Sequence, residues 1–159
     1  MIQAKELSAL FGRDLKRLVQ EIQAFPSDDT LWQTAPGVTN SAGNLALHLE
    51  GNLREYVGRQ LGGIAYQRQR DLEFSTKDVA ATELAARLSS VQEMVPRVIA
   101  GLSPAQLQAT FPEKISGQTV ASTWQFLLHL YGHLSYHLGQ IDYLRRILTQ
   151  GKPVNFAGL

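Results

Sequence analysis

Three of the four histidines in this 159-residue chain stand at strict four-residue spacing, in 129-HLYGHLSYHLGQ-140. An α-helix turns by about 100° and rises by about 1.5 Å per residue, so positions four apart share a face with Cβ atoms about 5–6 Å apart. Two imidazoles at that spacing can meet on one metal ion with N–metal bonds of about 2.0–2.1 Å. No glutamate lies between them, so this is not the His-Glu-x-x-His protease motif. His129 and His137 are about 12 Å apart along the axis and cannot share an ion on an intact helix. The pair is therefore His129/His133 or His133/His137, and spacing leaves the choice open.

Two ligands rarely suffice; a catalytic site commonly uses three plus a water. The remaining histidine, His48, lies one residue before Leu49 and three after Leu45, on the apolar side of its segment. It is the candidate third ligand. A lone histidine on an apolar face is more often a hydrogen-bonded core group. Three stacked imidazoles all in need of polar partners weigh towards a shared ion.

These residues need helices to hold them. Leu7, Leu10, Phe11, Leu18, Ile22 and Phe25 recur at helical spacing over residues 4–25, and Pro26 stops the run. A loop over 26–43 carries Leu31 and Trp32, expected to tuck onto one end of the helices. A second helix is expected from Asn40-Ser41, both good caps, to about Leu61 before Gly62-Gly63. Its stripe is Leu45, Leu49, Val57 and Leu61. A third is expected over 82–99, with Pro96 marking a kink or break. Ser103-Pro104 opens a short extra helix over 103–109. The longest is expected over 119–149, with Thr119 as a cap and Gly151 and Pro153 ending it. The links 63–81 and 100–118 exceed what antiparallel neighbours need, so one is expected to cross the bundle. Nothing reads as a strand, so the chain is expected to be an all-α four-helix bundle, one domain over 1–159.

Composition excludes several alternatives. Net charge is +1, from 15 basic and 14 acidic residues, which leaves no surplus to neutralise phosphates. Nucleic acid is not an expected partner. The chain has no cysteine, which excludes disulfides, thiolate metal sites and a cysteine nucleophile. No stretch approaches the roughly 18 apolar residues of a membrane span, and the start, MIQAKELSALFGRDL, does not read as a signal peptide. A soluble, cytoplasmic protein with no membrane partner is the expectation.

The run His133-Leu-Ser-Tyr-His137-Leu-Gly-Gln140-Ile-Asp-Tyr resembles the C-terminal helix of the DinB-like (DinB/YfiT) superfamily of metal-binding helical bundles. The run Asn40-Ser-Ala-Gly-Asn44-Leu-Ala-Leu-His48-Leu-Glu-Gly-Asn52-Leu-Arg54 resembles its second helix. The resemblance implies an up-down-down-up bundle with a three-histidine metal site. Its His-x-x-x-His pair is followed by Gly-Gln, which carries over to His133 and His137, with His48 as third ligand. His129 then becomes an outer or core residue one turn earlier.

Imidazole ligands suit Zn, Ni, Fe or Cu, and the ligand set does not choose among them; a divalent transition metal, Zn or Ni, is the expectation. Asn44 and Asn52 flank His48 at four residues on either side, and Asn52 is a candidate to orient a ligand. Gln140, three residues after His137, is read as a structural amide bonding across helices. Gly132 and Gly139 are expected to admit a neighbouring helix or leave room beside the metal. Tyr131, Tyr136 and Tyr143 are candidate pocket residues, although aromatic residues at such positions are more often packing. Glu50, Glu55 and Asp142 are expected at the solvent or in ion pairs. Ser41, Ser122 and Ser135 have no nucleophile setting.

The resemblance further implies a metal-dependent enzyme acting on a small molecule, a transferase or isomerase that uses a low-molecular-weight thiol as cosubstrate, in a homodimer. The alternatives are a non-catalytic metal-binding or stress-associated module and a metal-free helical dimer.

Overall fold

A computed structural model describes residues 2–115 and 117–154. Apolar periodicity is realised as helix throughout, with α1 at Ile2–Gln23, α2 at Asp28–Leu31, α3 at Ala42–Leu53, α4 at Arg70–Ser75, α5 at Ala81–Gly101, α6 at Pro104–Gln108 and α7 at Thr123–Thr149. No strand occurs among the described residues; a single β-bridge joins Ile115 and Gln118. No described helix is long and apolar enough to cross a membrane.

Hydroxyl caps set the starts of α3, α6 and α7. The Ser41, Ser103 and Ser122 side chains accept from the backbone N–H of Asn44, Gln106 and Gln125. Ser103 and Gln106 complete a reciprocal capping box, and Pro104 occupies the first helical position. Ser122, not Thr119, caps α7: residues 119–122 fold back instead, with the Thr123 N–H donating to Ala109 O. At the other end Gln150 adopts the left-handed conformation (φ 53°) that closes the helix, one residue before Gly151.

Pro96 does not break α5, which continues through it to Gly101. Ser8 on α1 donates its hydroxyl to Pro96 O at 2.8 Å, and Gly12 faces the Pro96 ring, so the expected break is instead a seam between α1 and α5. After Leu53 the backbone widens into a π-helical turn at Arg54–Arg59, which ordinary helical spacing does not announce.

The core is one cluster contributed by all four long helices, with Phe11, Leu15, Leu18, Ile22, Leu49 and Leu127 almost wholly enclosed. Each such side chain contributes about 1.5–3 kcal/mol of apolar burial. Leu31 is fully buried, and Trp32 donates its indole N–H to Val79 O while packing against Gly43, where any side chain would overlap the ring. Contacts advance in step along α1 and α7: Phe11 with Tyr131, Asp14 with Ser135, Glu21 with Arg145. Along α3 and α7 they run in opposite senses, with His48 beside His133 and Tyr56, beyond the end of α3, beside Phe126.

Helix α3 is buried at every residue from Ala42 to Leu53. Its polar groups must therefore find partners inside the protein. The connection after it supplies them. Contacts advance in step from α3 and the π-helical turn along α5, Glu50 with Arg87 and Gly58 with Met94, so this connection runs back along the bundle. It packs α4 against α3, where Asn44 Nδ2 donates to Glu73 O at 3.0 Å and to Thr76 O at 2.8 Å.

Candidate metal centre

Burial of α3 brings His48 to face α7, and four-residue spacing on α7 aligns two imidazoles with it. His48 Nε2 lies 3.2 Å from His133 Nε2, and His137 Nε2 lies 3.1 Å from the same atom. One ligand atom from each of the three lies within 4.8 Å of the others. His48 is buried and the other two are half-buried.

Their outer nitrogens decide what the inner ones can do. His48 Nδ1 lies 2.9 Å from Glu73 Oε2. A carboxylate only accepts, so that nitrogen carries the proton and Nε2 is left with a lone pair. His137 Nδ1 lies 2.6 Å from Gln140 Oε1, which fixes the same tautomer. Two lone pairs are thus aimed at His133 Nε2, which has at most one proton to share between them. An ion receiving all three lone pairs resolves the conflict. N–metal bonds of about 2.0–2.1 Å put ligand nitrogens about 2.9 Å apart at octahedral angles and about 3.3 Å apart at tetrahedral angles. The two observed separations, 3.1 and 3.2 Å, fall in that range. The residues present fit a divalent transition metal.

Glu73 is itself held. Arg68 Nε donates to its Oε1 at 2.7 Å and Arg68 NH2 to its Oε2 at 2.9 Å. Burial alone would push the Glu73 carboxyl upwards, but hydrogen bonds from His48 and Arg68 outweigh it and hold it below the usual carboxylate range. The Phe74 ring packs on the His48 imidazole with centroids 5.0 Å apart. Asn44, His48 and Gly51 fall on one face of α3 and together seat α4. At Gly51 a side chain would overlap the Glu73 carboxylate. Gly51→Ala is therefore expected to displace Glu73 and weaken metal binding about tenfold, the lower end of what losing an outer-shell partner costs. Isothermal metal titration reads this out; unchanged affinity would remove Glu73 from the site.

Burial pushes the His133 imidazole down to about 4, with His137 and His48 adding like-charge repulsion. His137 is lowered in the same sense by burial, against the bond to Gln140. In metal-free protein, His133 is neutral in both folded and unfolded chains above pH ~6.5. As pH falls from there to about 4, the unfolded chain takes up the proton first, so the fold loses stability. The loss reaches about 3 kcal/mol at pH 4 for a shift of this size. Urea denaturation with chelator present, comparing wild type with His133→Gln, should show the steeper acid decline in wild type. Parallel profiles would contradict it.

Other expected site residues fall elsewhere. His129 is exposed, not core, with its ring stacked on Phe126 and 6.4 Å from that of His133. Gln140 bonds within its own helix instead of across helices. Gly132 and Gly139 are exposed, and a Cβ at either would meet nothing within 4 Å, so neither admits a neighbouring helix. Asn52 is buried with Oδ1 unpartnered, as is His133 Nδ1. Glu50, Glu55 and Asp142 are all buried in ion pairs and none faces solvent. Tyr131 packs on Phe11 and accepts from Arg13, whereas Tyr136 and Tyr143 line a cavity beside His137. The residues missed entirely were Glu73 and Arg68. Their only sequence signal was an acid and an arginine in a connection too long for its span.

A family model for the DinB superfamily matches residues 10–141, a range that contains all three converging histidines. No curated protein matches the chain. Among solved structures, a DinB-like protein from Bacillus cereus ATCC 10987 is similar, with a TM-score of 0.63 and 16% identity over 84% of this chain and 85% of that one. At that identity the likeness concerns the fold.

Proposed function

The chain belongs to the DinB superfamily, and from that premise we propose that His48, His133 and His137 hold one divalent transition metal, zinc or nickel, in an enzyme acting on a small molecule. The observation that carries this reading is the pair of acceptors, Glu73 and Gln140, that turn the Nε2 lone pairs of His48 and His137 inwards. A metal bound there supplies a Lewis acid that lowers the pKa of a thiol or water entering beside it.

The chain's own groups do the rest. Arg68 and Glu73 fix the His48 tautomer and Gln140 fixes that of His137. Among the described residues lining the cavity beside His137 none is an Asp, Glu, Lys or Arg, so the acid–base groups there besides His137 are the Tyr136 and Tyr143 phenols. An external thiol cosubstrate supplies the nucleophile that a chain without cysteine cannot, and transfer or isomerisation by that thiol is the reaction class proposed. We place the protein in the cytoplasm as a homodimer of one-domain chains, each an up-down-down-up four-helix bundle, without nucleic-acid or membrane partners. The contact order along α1, α3 and α7 supports that topology.

Cobalt substitution tests the function. The proposal expects one ion per chain and a thiol-dependent charge-transfer band on adding 2-mercaptoethanol. One ion per chain with no response to thiol would identify a closed, non-catalytic metal-binding module. No stoichiometric metal would overturn the centre altogether.

A further inference from the structure

Of the seven large hydrophobic residues that are exposed among the described ones, four line a single cavity: Val38, Tyr136, Tyr143 and Ile147. Leu45 and Leu144 complete its apolar wall, and its volume is about 560 Å³. That lies within the range of small-molecule sites, about 300–1,000 Å³. One wall comes from α7 and the other from residues 37–40 and the start of α3. Its polar side chains at the α7 wall are His137 and Gln140. The cavity therefore opens directly against the candidate metal centre.

Among the described residues charge is absent from the lining, whereas other cavities on the protein are ringed by it. Glu50, Glu73 and Arg87 line one, and Glu55, Arg59, Arg68 and Glu113 another. Arg146 comes near the apolar cavity only through its guanidinium, which lies over the Tyr143 ring with its charge paired to Asp142. A charged ligand tail would lose its hydration here with no counter-ion in the wall. An apolar or aromatic tail would bury against Leu45, Tyr143 and Ile147 and gain from it.

We propose that this cavity binds an uncharged ligand with an apolar or aromatic tail between Val38, Tyr143 and Ile147 and a polar head towards His137 and Gln140. The head's role rests on the metal-centre reading above; the tail's does not. The exposed rings and the concavity form one continuous pocket with the centre, which favours a small molecule over a second copy of the chain.

The test compares alcohols that share a hydroxyl head, 1-butanol, 4-phenylbutan-1-ol and 5-aminopentan-1-ol, by ligand-observed NMR titration of the protein as purified. Metal content is measured on the same samples, so loss of metal is seen separately from loss of tail binding. The phenyl tail should strengthen binding at least tenfold over butanol, and the ammonium tail should give no gain. Ile147→Asp and Val38→Asp should each cancel the phenyl gain while metal content stays unchanged. Ile147 and Val38 are already exposed, so neither substitution disrupts the core. The proposal is overturned if the phenyl tail gives no gain, if the gain survives both substitutions, or if the ammonium tail binds as well. It is also overturned if Ile147→Asp converts a dimer to a monomer without affecting phenylbutanol, since the face is then an interface.

Discussion

Replacing His133 with alanine is expected to abolish stoichiometric metal binding, lowering affinity by more than the roughly 10–100-fold typical of losing an outer-shell partner. His133 Nε2 is the atom that both other imidazoles approach, at 3.2 and 3.1 Å. Its removal leaves His48 and His137 without their shared neighbour. His48→Ala and His137→Ala should each abolish stoichiometric metal as well. His129→Ala should leave most of it, because that ring is exposed and makes none of the Nε2 contacts. Elemental analysis of the four purified variants after dialysis separates these outcomes. Full metal retained by His137→Ala, or none by His129→Ala, would transfer the ligand assignment to the other histidine pair. The His133 and His137 variants should fold, since these half-buried residues lie beside, not within, the apolar cluster.

The largest stability effect is expected far from that centre. Arg145→Ala should destabilise the protein by about 3–5 kcal/mol. Arg145 Nε donates to Glu21 Oε2, and its NH2 reaches Lys152 O at 3.1 Å. Glu21 is fully buried and its Oε1 already has no partner. Burial pushes the Glu21 carboxyl upwards despite the facing guanidinium. Without Arg145 the carboxylate would be enclosed with no counter-charge. For a chain of this size the melting temperature should fall by roughly 10 °C. Arg146→Ala is the control: its pair with Asp142, at 3.4 Å, involves a side chain that is 37% exposed, and such pairs contribute less than about 1 kcal/mol. Glu21→Leu with Arg145→Leu should recover much of the loss, because removing both charges leaves none unpaired. Equal melting temperatures for Arg145→Ala and Arg146→Ala would show that the buried pair carries no special cost.

The helices and two of the converging imidazoles were legible because their signals are local. Apolar period, serine caps and four-residue spacing each act within a turn or two of chain. His48 was legible by scarcity, as the only other histidine. The choice of His133/His137 over His129/His133 came from a resemblance and not from geometry, because an isolated helix treats both pairs alike. Glu73 and Arg68 were not legible. They lie in a connection without periodicity, and what places them is Gly51, a residue whose importance lies in a missing side chain. The expectation for Gly132 and Gly139 failed for a related reason. A glycine in a helix signals close approach only if something lies opposite, and sequence does not show what lies opposite.

The two acceptors that set the imidazole tautomers differ in the chain entropy their contacts cost. Gln140 lies three residues from His137 on the same helix, so forming α7 already brings the pair together. Glu73 lies 25 residues from His48, and closing a flexible loop of that length costs about 3 kcal/mol from the length-dependent part alone. Bringing His48 to His133 spans 85 positions. One half of the proton arrangement is thus a property of a helix, and the other half is a property of the folded protein. A peptide of α7 would retain the first half and have no means of forming the second.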